Sequence, residues 1–579
     1  MDQVSSAYIK KRSEPFDAIV VGSGITGGWA AKELCERGLR TLMVERGRPV
    51  EHRTDYITEG VDLWDMPNRG QVEAKVIEEQ YPVQSKSYAF GGTTRHFFNN
   101  DRDMPYSTPQ QRPFSWIRGN QVGGKSLLWA RACYRWGPLD FEANAKDGHG
   151  VDWPIRYADL APWYSHVEKF VGISGGKENM DILPDSEFQE AFEFNTVEKS
   201  FKKKFDTSYA PARMIMGRVA HLTNPTEEQL AQGRLPCQAR SMCERGCSFG
   251  AYFSTQSSTL PAALKTGRLR IATNAIVHSV IYDAKTNRAT GVRVIDSETM
   301  ETREYFAKVI FLCASTLGTT QILLNSVSSA FPSGIANSSG VLGHYLMDHL
   351  QGIGAYGRVE GFENDYYSGR RPTTPYIPRF RNVNEQHAKF IRGYALSGHA
   401  IRTNWRDAAN LPGFGKPYKA AIRKPGPWKF TLYGAGEMLP RYENSVQLHP
   451  TKKDKWGMPQ LHIDCTYGDN DHRMREDIVE TAAEILATLG VKDIVSDFPT
   501  IEQYAPGRAV HEMGTARMGR DPKTSMLNGF NQAHDIPNLF VTDGACMPSI
   551  AWQNPSLTFM ALTARACDYA VQQIKLGKL

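Results

Sequence analysis

A glycine-rich turn between two apolar strands near the start of the chain constrains its fold more than any other feature. Residues 16–45 contain an apolar strand, a glycine turn, a helix of small and apolar residues, and a second strand. Gly22, Gly24 and Gly27 have the G-x-G-x-x-G spacing, which permits a tight turn, close approach to a pyrophosphate and close packing of helix on strand. Glu45 ends the second strand, where a carboxylate can accept ribose hydroxyls. This βαβ unit predicts a dinucleotide site and leaves the identity of the dinucleotide open.

Composition excludes several classes of protein. The chain has 579 residues, of which 41% are hydrophobic and 22% charged, values typical of a globular protein with a large core. We find no run of eighteen apolar residues, so we expect no transmembrane segment, and the first fifteen residues lack the apolar core of a secretion signal. The net charge of +6 comes from 68 basic and 62 acidic residues, too small a bias to suggest nucleic acid as a partner.

The C-terminal part contains three further motifs. Residues 510–519 read VHEMGTARMG, residues 538–549 read NLFVTDGACMPS, and residues 552–571 read WQNPSLTFMALTARACDYAV. The last motif predicts a helix with Asn554 at the N-cap and Pro555 in the first turn, where both residue types are favoured. The positive end of that helix dipole would then stabilise negative charge lying beyond Asn554.

Taken in order, these motifs resemble one known family. The glycine turn is followed by RGNQVGGKSLLWAR at residues 118–131, by GHYLMDH at residues 343–349, and by the C-terminal motifs. This series is similar to the glucose-methanol-choline family of FAD oxidoreductases, and the similarity spans nearly the whole chain. The resemblance implies an α/β FAD-binding domain of Rossmann-like type, interleaved with an α+β substrate domain built on an antiparallel sheet.

The predicted domain boundaries follow changes in the strand and helix pattern. Residues 15–160, 255–349 and 505–579 are assigned to the FAD-binding domain. Residues 161–254 are assigned to a cap segment that carries three clustered cysteines, and residues 350–504, with antiparallel strand patterns and no second glycine fingerprint, to the substrate-binding domain.

The family resemblance assigns the catalytic roles to His511 and Asn554. In the family, a histidine of the H-x-x-G-T-x-R-M-G motif and a histidine or asparagine at the start of the final helix face the flavin. Oxidation of an alcohol needs a base for the hydroxyl proton, and a neutral imidazole suits that task. His511 could instead be a structural histidine. Asn554 could simply cap its helix, in which case its side chain would bond to the amide of Leu557 and could not contact substrate.

Further cofactor contacts are implied by the same resemblance. Gly123 and Gly124 would let backbone approach the flavin, although a plain turn is an alternative. Val277, Asp543 and Asn554 are expected among the FAD-binding residues. Some sugar oxidases of the family attach FAD through a histidine shortly after the glycine pair, whereas this chain has KSLLW there, so we predict non-covalent FAD.

Two residues before Asn554 are candidates for substrate contact. Trp552 could stack on a pyranose ring, since the apolar C–H faces of sugars pack on indole, and Gln553 lies beside it. Packing of Trp552 in the core is the alternative interpretation.

Three of the nine cysteines, Cys237, Cys243 and Cys247, lie within one short segment. They could form a zinc site, a reactive pair of thiols with a third, unpaired cysteine, or a set of iron–sulfur ligands. Structural zinc requires four ligands, and no fourth Cys or His lies between Gly233 and Gln256, so a three-iron cluster suits three thiolates better. The segment also resembles the cysteine loop of bacterial FAD-dependent glucose dehydrogenases, in which three cysteines hold a [3Fe-4S] cluster. A metal-free thiol group remains the alternative.

A cluster beside a flavin would allow electrons to leave toward a partner, which favours a dehydrogenase over an oxidase. The resemblance is greatest to bacterial glucoside 3-dehydrogenases, which oxidise the C3 hydroxyl of glucosides to a keto group. It implies a glucoside substrate, a small Tat-exported subunit, a cytochrome c acceptor and a periplasmic location by co-export, with a cytoplasmic enzyme as the alternative. An oxygen-dependent oxidase with no cluster, a catalytically silent flavin or nucleotide sensor, and a lyase are the rival functions.

Overall fold

Strands from distant parts of the chain form the first sheet of this computed structural model, which describes residues 15–365, 372–403, 412–500 and 503–579. The strand order is Leu269–Ala272, Thr41–Val44, Phe16–Val21, Thr302–Leu312, Arg288–Asp296 and Ala275–Asp283, and Leu539–Val541 also pairs with Thr302–Leu312. The first four strands and Leu539–Val541 pair in parallel, while the other two continue as an antiparallel meander. The strands Phe16–Val21, Thr41–Val44 and Leu539–Val541 are almost entirely apolar and buried, as expected where both faces of a strand are covered.

Two long helices cover one face of this sheet. Ile25–Glu36, which starts at the glycine turn, packs against the C-terminal helix Ser556–Lys575. Small side chains, including Ala30 and Ala566, are fully buried between the helices and the strands, so both helices approach the sheet closely. Two helices that are more than 500 residues apart in the sequence thus meet on one face of the nucleotide fold.

The second sheet is antiparallel throughout. Its strand order is Lys492–Asp497, Leu350–Val359, Trp428–Gly436, Tyr394–Arg402, Pro375–Ile377 and Ile215–Met216. The helix Asp469–Leu489 packs on it and ends at Gly490, whose φ of 91° is the left-handed conformation that favours glycine. Strand Trp428–Gly436 alternates buried and half-buried residues, so one of its faces is available to a cavity.

Shorter elements complete the fold. The remaining α-helices are Ala74–Gln80, Pro138–Asp147, Tyr157–Val171, Thr196–Ser208, Glu227–Ala231, Thr259–Lys265, Thr316–Asn325 and Gly415–Ala421. The 3₁₀ helices are Pro67–Gly70, Gln84–Lys86, Arg95–Phe97, Gly124–Leu127, Cys243–Arg245 and Gly544–Cys546. Two-stranded sheets pair Ser445–Lys453 with Pro459–Asp464 and Ile173–Ser174 with Phe188–Gln189.

The architecture confirms the predicted α/β domain interleaved with an α+β unit on an antiparallel sheet. The predicted domain boundaries stay a prediction, and the short strand Ile215–Met216, from the predicted cap segment, joins the second sheet. Among the helices of the described residues, none is long and apolar enough to cross a membrane.

Candidate active site

A cavity of about 800 Å³ extends from the glycine turn to the C-terminal motifs. Its volume lies within the range of pockets that bind small molecules and cofactors. The predicted residues on its wall are Gly22, Gly24, Glu45, Gly124, Val277, His511, Asp543 and Asn554. The structure therefore brings most of the predicted cofactor residues and both catalytic candidates to one site, although they come from opposite ends of the chain.

The glycines of the turn act as their spacing predicts. Gly22 has a φ of 95°, and a Cβ at Gly27 would lie 2.0 Å from the carbonyl oxygen of Gly22, so the third glycine permits close packing of helix on turn. A Cβ at Gly24, in contrast, would have no neighbour within 4 Å. Because Gly24 lines the cavity, this open space is where a ligand can approach the backbone at the start of a helix.

Glu45 lies at the end of strand Thr41–Val44, beside the turn. Its Oε2 accepts a hydrogen bond from the Ser23 amide at 3.0 Å, and its Oε1 accepts one from the Gly47 amide at 2.8 Å. Burial raises the pKa of this carboxyl, while the bonds from Ser23 and Gly47 favour the ionised form. A carboxylate has about four acceptor positions, so capacity for ribose hydroxyls remains.

The second glycine pair packs against the first turn. Gly124 lines the cavity, and a Cβ there would lie 3.5 Å from the Gly24 Cα. Gly123 does not line it: its φ is 91°, its amide donates to Ser23 Oγ at 2.9 Å, and a Cβ would overlap the Gln256 side chain. For Gly123 the plain-turn interpretation is therefore correct, because its left-handed conformation serves the packing of the two turns.

Asp543 and Lys125 supply charge to the cavity wall. Asp543 accepts hydrogen bonds from the Ala545 amide and the Thr319 hydroxyl, and burial raises its pKa to about 6. Lys125, which directly follows the second glycine pair, forms an ion pair with Glu512 at 3.2 Å. No sequence motif predicted a role for Lys125, since its partner Glu512 directly follows His511 and is distant in the chain.

The imidazole of His511 lies beside the Asn554 amide, and both side chains line the cavity. Its Nε2 is 3.4 Å from Asn554 Nδ2, and its amide donates to Asp348 Oδ1 at 3.0 Å. Burial lowers the pKa of His511 well below its ordinary value, and the neighbouring His349 and Lys125 lower it further. The ring is therefore neutral at ordinary pH and can accept a proton.

Asn554 does not cap the C-terminal helix, contrary to the prediction. The helix begins at Ser556, Pro555 occupies the N-cap position, and no side chain caps it by a hydrogen bond. The Asn554 side chain is therefore not occupied by helix capping, and its amide lies beside His511 in the cavity wall instead of bonding to Leu557. The motif placed the helix start one residue too early.

Two tyrosines also line the cavity. Tyr433 is at a half-buried position of strand Trp428–Gly436, and Tyr504 packs across Gly352, where a Cβ would lie 2.1 Å from the Tyr504 ring. Gln351 lines the same region. Two aromatic rings and an amide suit a polar ligand that has apolar faces, such as a sugar.

The predictions for Trp552 and Gln553 are wrong. Trp552 is 1% exposed and stacks with Tyr376 in the core, so the alternative interpretation of that residue is correct. Gln553 is fully buried and donates to Asp140 Oδ2 at 2.8 Å. Both side chains point away from the cavity because the segment before the helix uses them as anchors, which a single aromatic in a sequence cannot reveal.

The three clustered cysteines converge on one small cavity. Cys237, Cys243 and Cys247 line it together with His221 and Tyr252. Burial is the main cause that raises the pKa of the Cys243 thiol to about 11, and the nearby Cys237 and Cys247 act in the same direction. Within the described ranges, no group of three His, Cys, Asp or Glu side chains is arranged to hold a single metal ion.

Comparisons with known proteins agree with this geometry. Models of the GMC oxidoreductase family match residues 16–351 and 440–563. The chain is 27% identical over 577 residues to 2-methyl-1,2-propanediol dehydrogenase of Mycolicibacterium austroafricanum, with 96% of this chain and 94% of the relative covered. It is 26% identical over 574 residues to the fructose dehydrogenase large subunit of Gluconobacter japonicus, with 97% and 98% covered. The crystal structure of pyridoxine 4-oxidase from Mesorbium loti shares the fold, with a TM-score of 0.57 at 16% identity and 97% and 99% covered.

Proposed function

Because the chain belongs to the glucose-methanol-choline (GMC) oxidoreductase family, we propose that it is an FAD-dependent dehydrogenase that oxidises the C3 hydroxyl of a glucoside to a ketone. Family membership itself implies FAD and oxidation of a CH–OH group. The observation that supports oxidation of an alcohol at this site is the pairing of neutral His511 with Asn554 on the wall of a cavity that also contains the glycine turn. The choice of a glucoside and of its C3 hydroxyl rests on the sequence resemblance.

The residues of the cavity fit FAD. Gly24 leaves open space beside the start of helix Ile25–Glu36, whose amides and dipole favour a pyrophosphate, and Glu45 retains acceptor capacity for a ribose. When bound, FAD supplies a two-electron acceptor for hydride from the substrate carbon. The absence of a histidine just after Gly124 supports non-covalent attachment, which stays a prediction.

His511 and Asn554 have complementary tasks in this reaction. His511 Nε2 accepts the hydroxyl proton as the alcohol becomes a carbonyl. The Asn554 amide donates to the same substrate oxygen and orients it, since its Nδ2 already lies 3.4 Å from His511 Nε2. The low pKa of His511 keeps the base unprotonated before substrate binds.

The proposal that the substrate is a sugar is supported by two tyrosines and an amide in the cavity wall. The rings of Tyr433 and Tyr504 can pack on the apolar C–H faces of a pyranose, and the Gln351 amide can bond to its hydroxyls. The fructose dehydrogenase large subunit is a relative whose name denotes a sugar substrate.

We also propose that Cys237, Cys243 and Cys247 hold a [3Fe-4S] cluster. Support comes from their convergence on one cavity. A cluster is larger than a single ion, so its thiolates stand farther apart than the ligands of zinc. A bound cluster supplies a one-electron relay.

A relay needs a partner, which we propose to be a cytochrome c. A small Tat-exported subunit and a periplasmic location by co-export complete this proposal, with a cytoplasmic enzyme as the alternative. The subunit designation of the fructose dehydrogenase relative supports assembly with other chains.

The experiment is an anaerobic titration of the purified yellow protein with a panel of methyl glucosides and disaccharides, followed by NMR of the product. We expect a 3-keto sugar and reduction of added cytochrome c. Iron and acid-labile sulfide analysis on the same sample tests the cluster.

Two outcomes would favour rival functions. Peroxide release under air without iron or sulfide would indicate an oxidase with an empty cysteine loop. A flavin that no alcohol reduces would indicate a sensor.

A further inference from the structure

His349 lies directly behind His511. It is 1% exposed and directly precedes strand Leu350–Val359. Its Nδ1 is 3.1 Å from His511 Nδ1, and its Nε2 is 2.6 Å from the carbonyl oxygen of Ala551. The two rings are nearly perpendicular, at 78°, with centroids 4.9 Å apart. His511 is thus the middle member of a series that begins at a backbone carbonyl and ends at Asn554.

The series has a definite direction, because a carbonyl oxygen can only accept. The hydrogen bond to Ala551 therefore requires a proton on His349 Nε2. Burial lowers the pKa of His349 to about 4, so the ring is neutral and its Nδ1 carries a lone pair. A contact of 3.1 Å between two ring nitrogens then requires the proton to be on His511 Nδ1.

A neutral imidazole carries one proton, so the other nitrogen of His511 is unprotonated. That nitrogen is Nε2, which faces Asn554 Nδ2. An amide donor and a bare ring nitrogen are complementary, and this fixes the orientation of the Asn554 amide as well. With the opposite tautomer, Nε2 would carry a proton and could not take one from a substrate hydroxyl.

We propose that His349 is a positioning residue that fixes the tautomer of His511 and so keeps Nε2 free to act as the base. This inference rests on the proposed function, in which His511 accepts the hydroxyl proton. The Ala551 carbonyl that starts the series is held in place because the next residue, Trp552, is buried and stacked on Tyr376.

Two substitutions of similar size separate this role from packing. His349→Leu fills space but cannot accept from His511 Nδ1, whereas the carbonyl of His349→Asn can. We expect the leucine variant to keep its flavin and its KM but to lose about 10- to 150-fold in kcat, since a buried hydrogen bond to a group that becomes charged is worth about 1.5–3 kcal/mol. The asparagine variant should recover most of that loss.

A second readout does not depend on turnover. ¹⁵N NMR of the holoenzyme labelled at histidine distinguishes protonated from bare ring nitrogens, and the His511 signals are identified by their loss in a His511→Ala variant. We expect wild-type His511 to be protonated at Nδ1 and the leucine variant to shift toward Nε2.

Three results would overturn the proposal: protonation of wild-type His511 at Nε2, an unchanged tautomer in the leucine variant, or equal loss of kcat in the leucine and asparagine variants. Failure of the proposed function is distinguishable, because an inactive wild type would still report its tautomer by NMR.

Discussion

Replacing Asn554 with alanine tests whether this residue serves the cavity or its helix. In the structure, Asn554 Nδ2 lies 3.4 Å from His511 Nε2, and helix Ser556–Lys575 has no side-chain cap. Removing the amide should therefore impair catalysis without destabilising the helix.

The expected size of the effect follows from a single hydrogen bond. In the proposed reaction Asn554 donates to an oxygen that changes charge, and such bonds are worth about 1.5–3 kcal/mol, or roughly 10- to 150-fold in kcat. A lost helix cap, in comparison, costs about 1 kcal/mol of stability and nothing in kcat.

Asn195 offers a matched control. It caps helix Thr196–Ser208 by accepting from the Glu198 amide at 3.0 Å, and it does not line the cavity. We expect Asn195→Ala to lower Tm by about 1–2 °C and to keep kcat, while Asn554→Ala keeps Tm and loses kcat. Rapid-mixing measurements of flavin reduction and thermal unfolding of both variants give the two quantities. A drop in Tm at Asn554→Ala with full kcat would show that Asn554 stabilises its helix and has no part in catalysis.

Three further perturbations test the rest of the site. Gly24→Val should fold but lose FAD, because a Cβ at this position has no protein atom within 4 Å and would occupy the space of the ligand, whereas Gly27→Val should misfold because its side chain would overlap the Gly22 carbonyl. The flavin-to-protein absorbance ratio measures the loss of FAD, and circular dichroism measures misfolding. A yellow Gly24→Val protein would contradict the cofactor site. Cys243→Ser should lower the iron content and leave the flavin in place, and unchanged iron would contradict the cluster proposal. Burial raises the pKa of Asp348 to about 7, above its unfolded value of 3.8, so this carboxyl stabilises the fold below pH 4 and progressively less as pH rises to about 7. The Tm difference between wild type and Asp348→Asn should therefore fall from pH 5 to 7 and stay level above pH 7, and parallel curves would exclude this effect.

The sequence predicted those parts of the site that depend on local geometry. The spacing of the glycine turn and the position of Glu45 predicted the dinucleotide site, and the resemblance of the histidine motif to a known family predicted the role of His511. The alternating and continuous apolar patterns likewise predicted an α/β domain and a separate antiparallel sheet.

Residues that depend on contacts between distant segments could not be predicted in this way. His349 reaches His511 across 162 positions, and Tyr504 reaches the cavity because a glycine at 352 lets its ring cross a strand. The GHYLMDH motif drew attention to the segment that contains His349, but it did not indicate that the His349 ring would contact His511. Trp552 was misassigned because the direction of a side chain just before a helix depends on the core around it.

In the proposed reaction, His511 takes a proton from a sugar hydroxyl beside a bound flavin. Anaerobic mixing of a glucoside with the wild type and with His511→Ala, followed through the yellow absorbance of the flavin, tests this step. We expect both proteins to be yellow, dithionite to bleach both, and the sugar to bleach the wild type at least about a hundredfold faster. A colourless wild type, or equal rates of bleaching by the sugar, would contradict it.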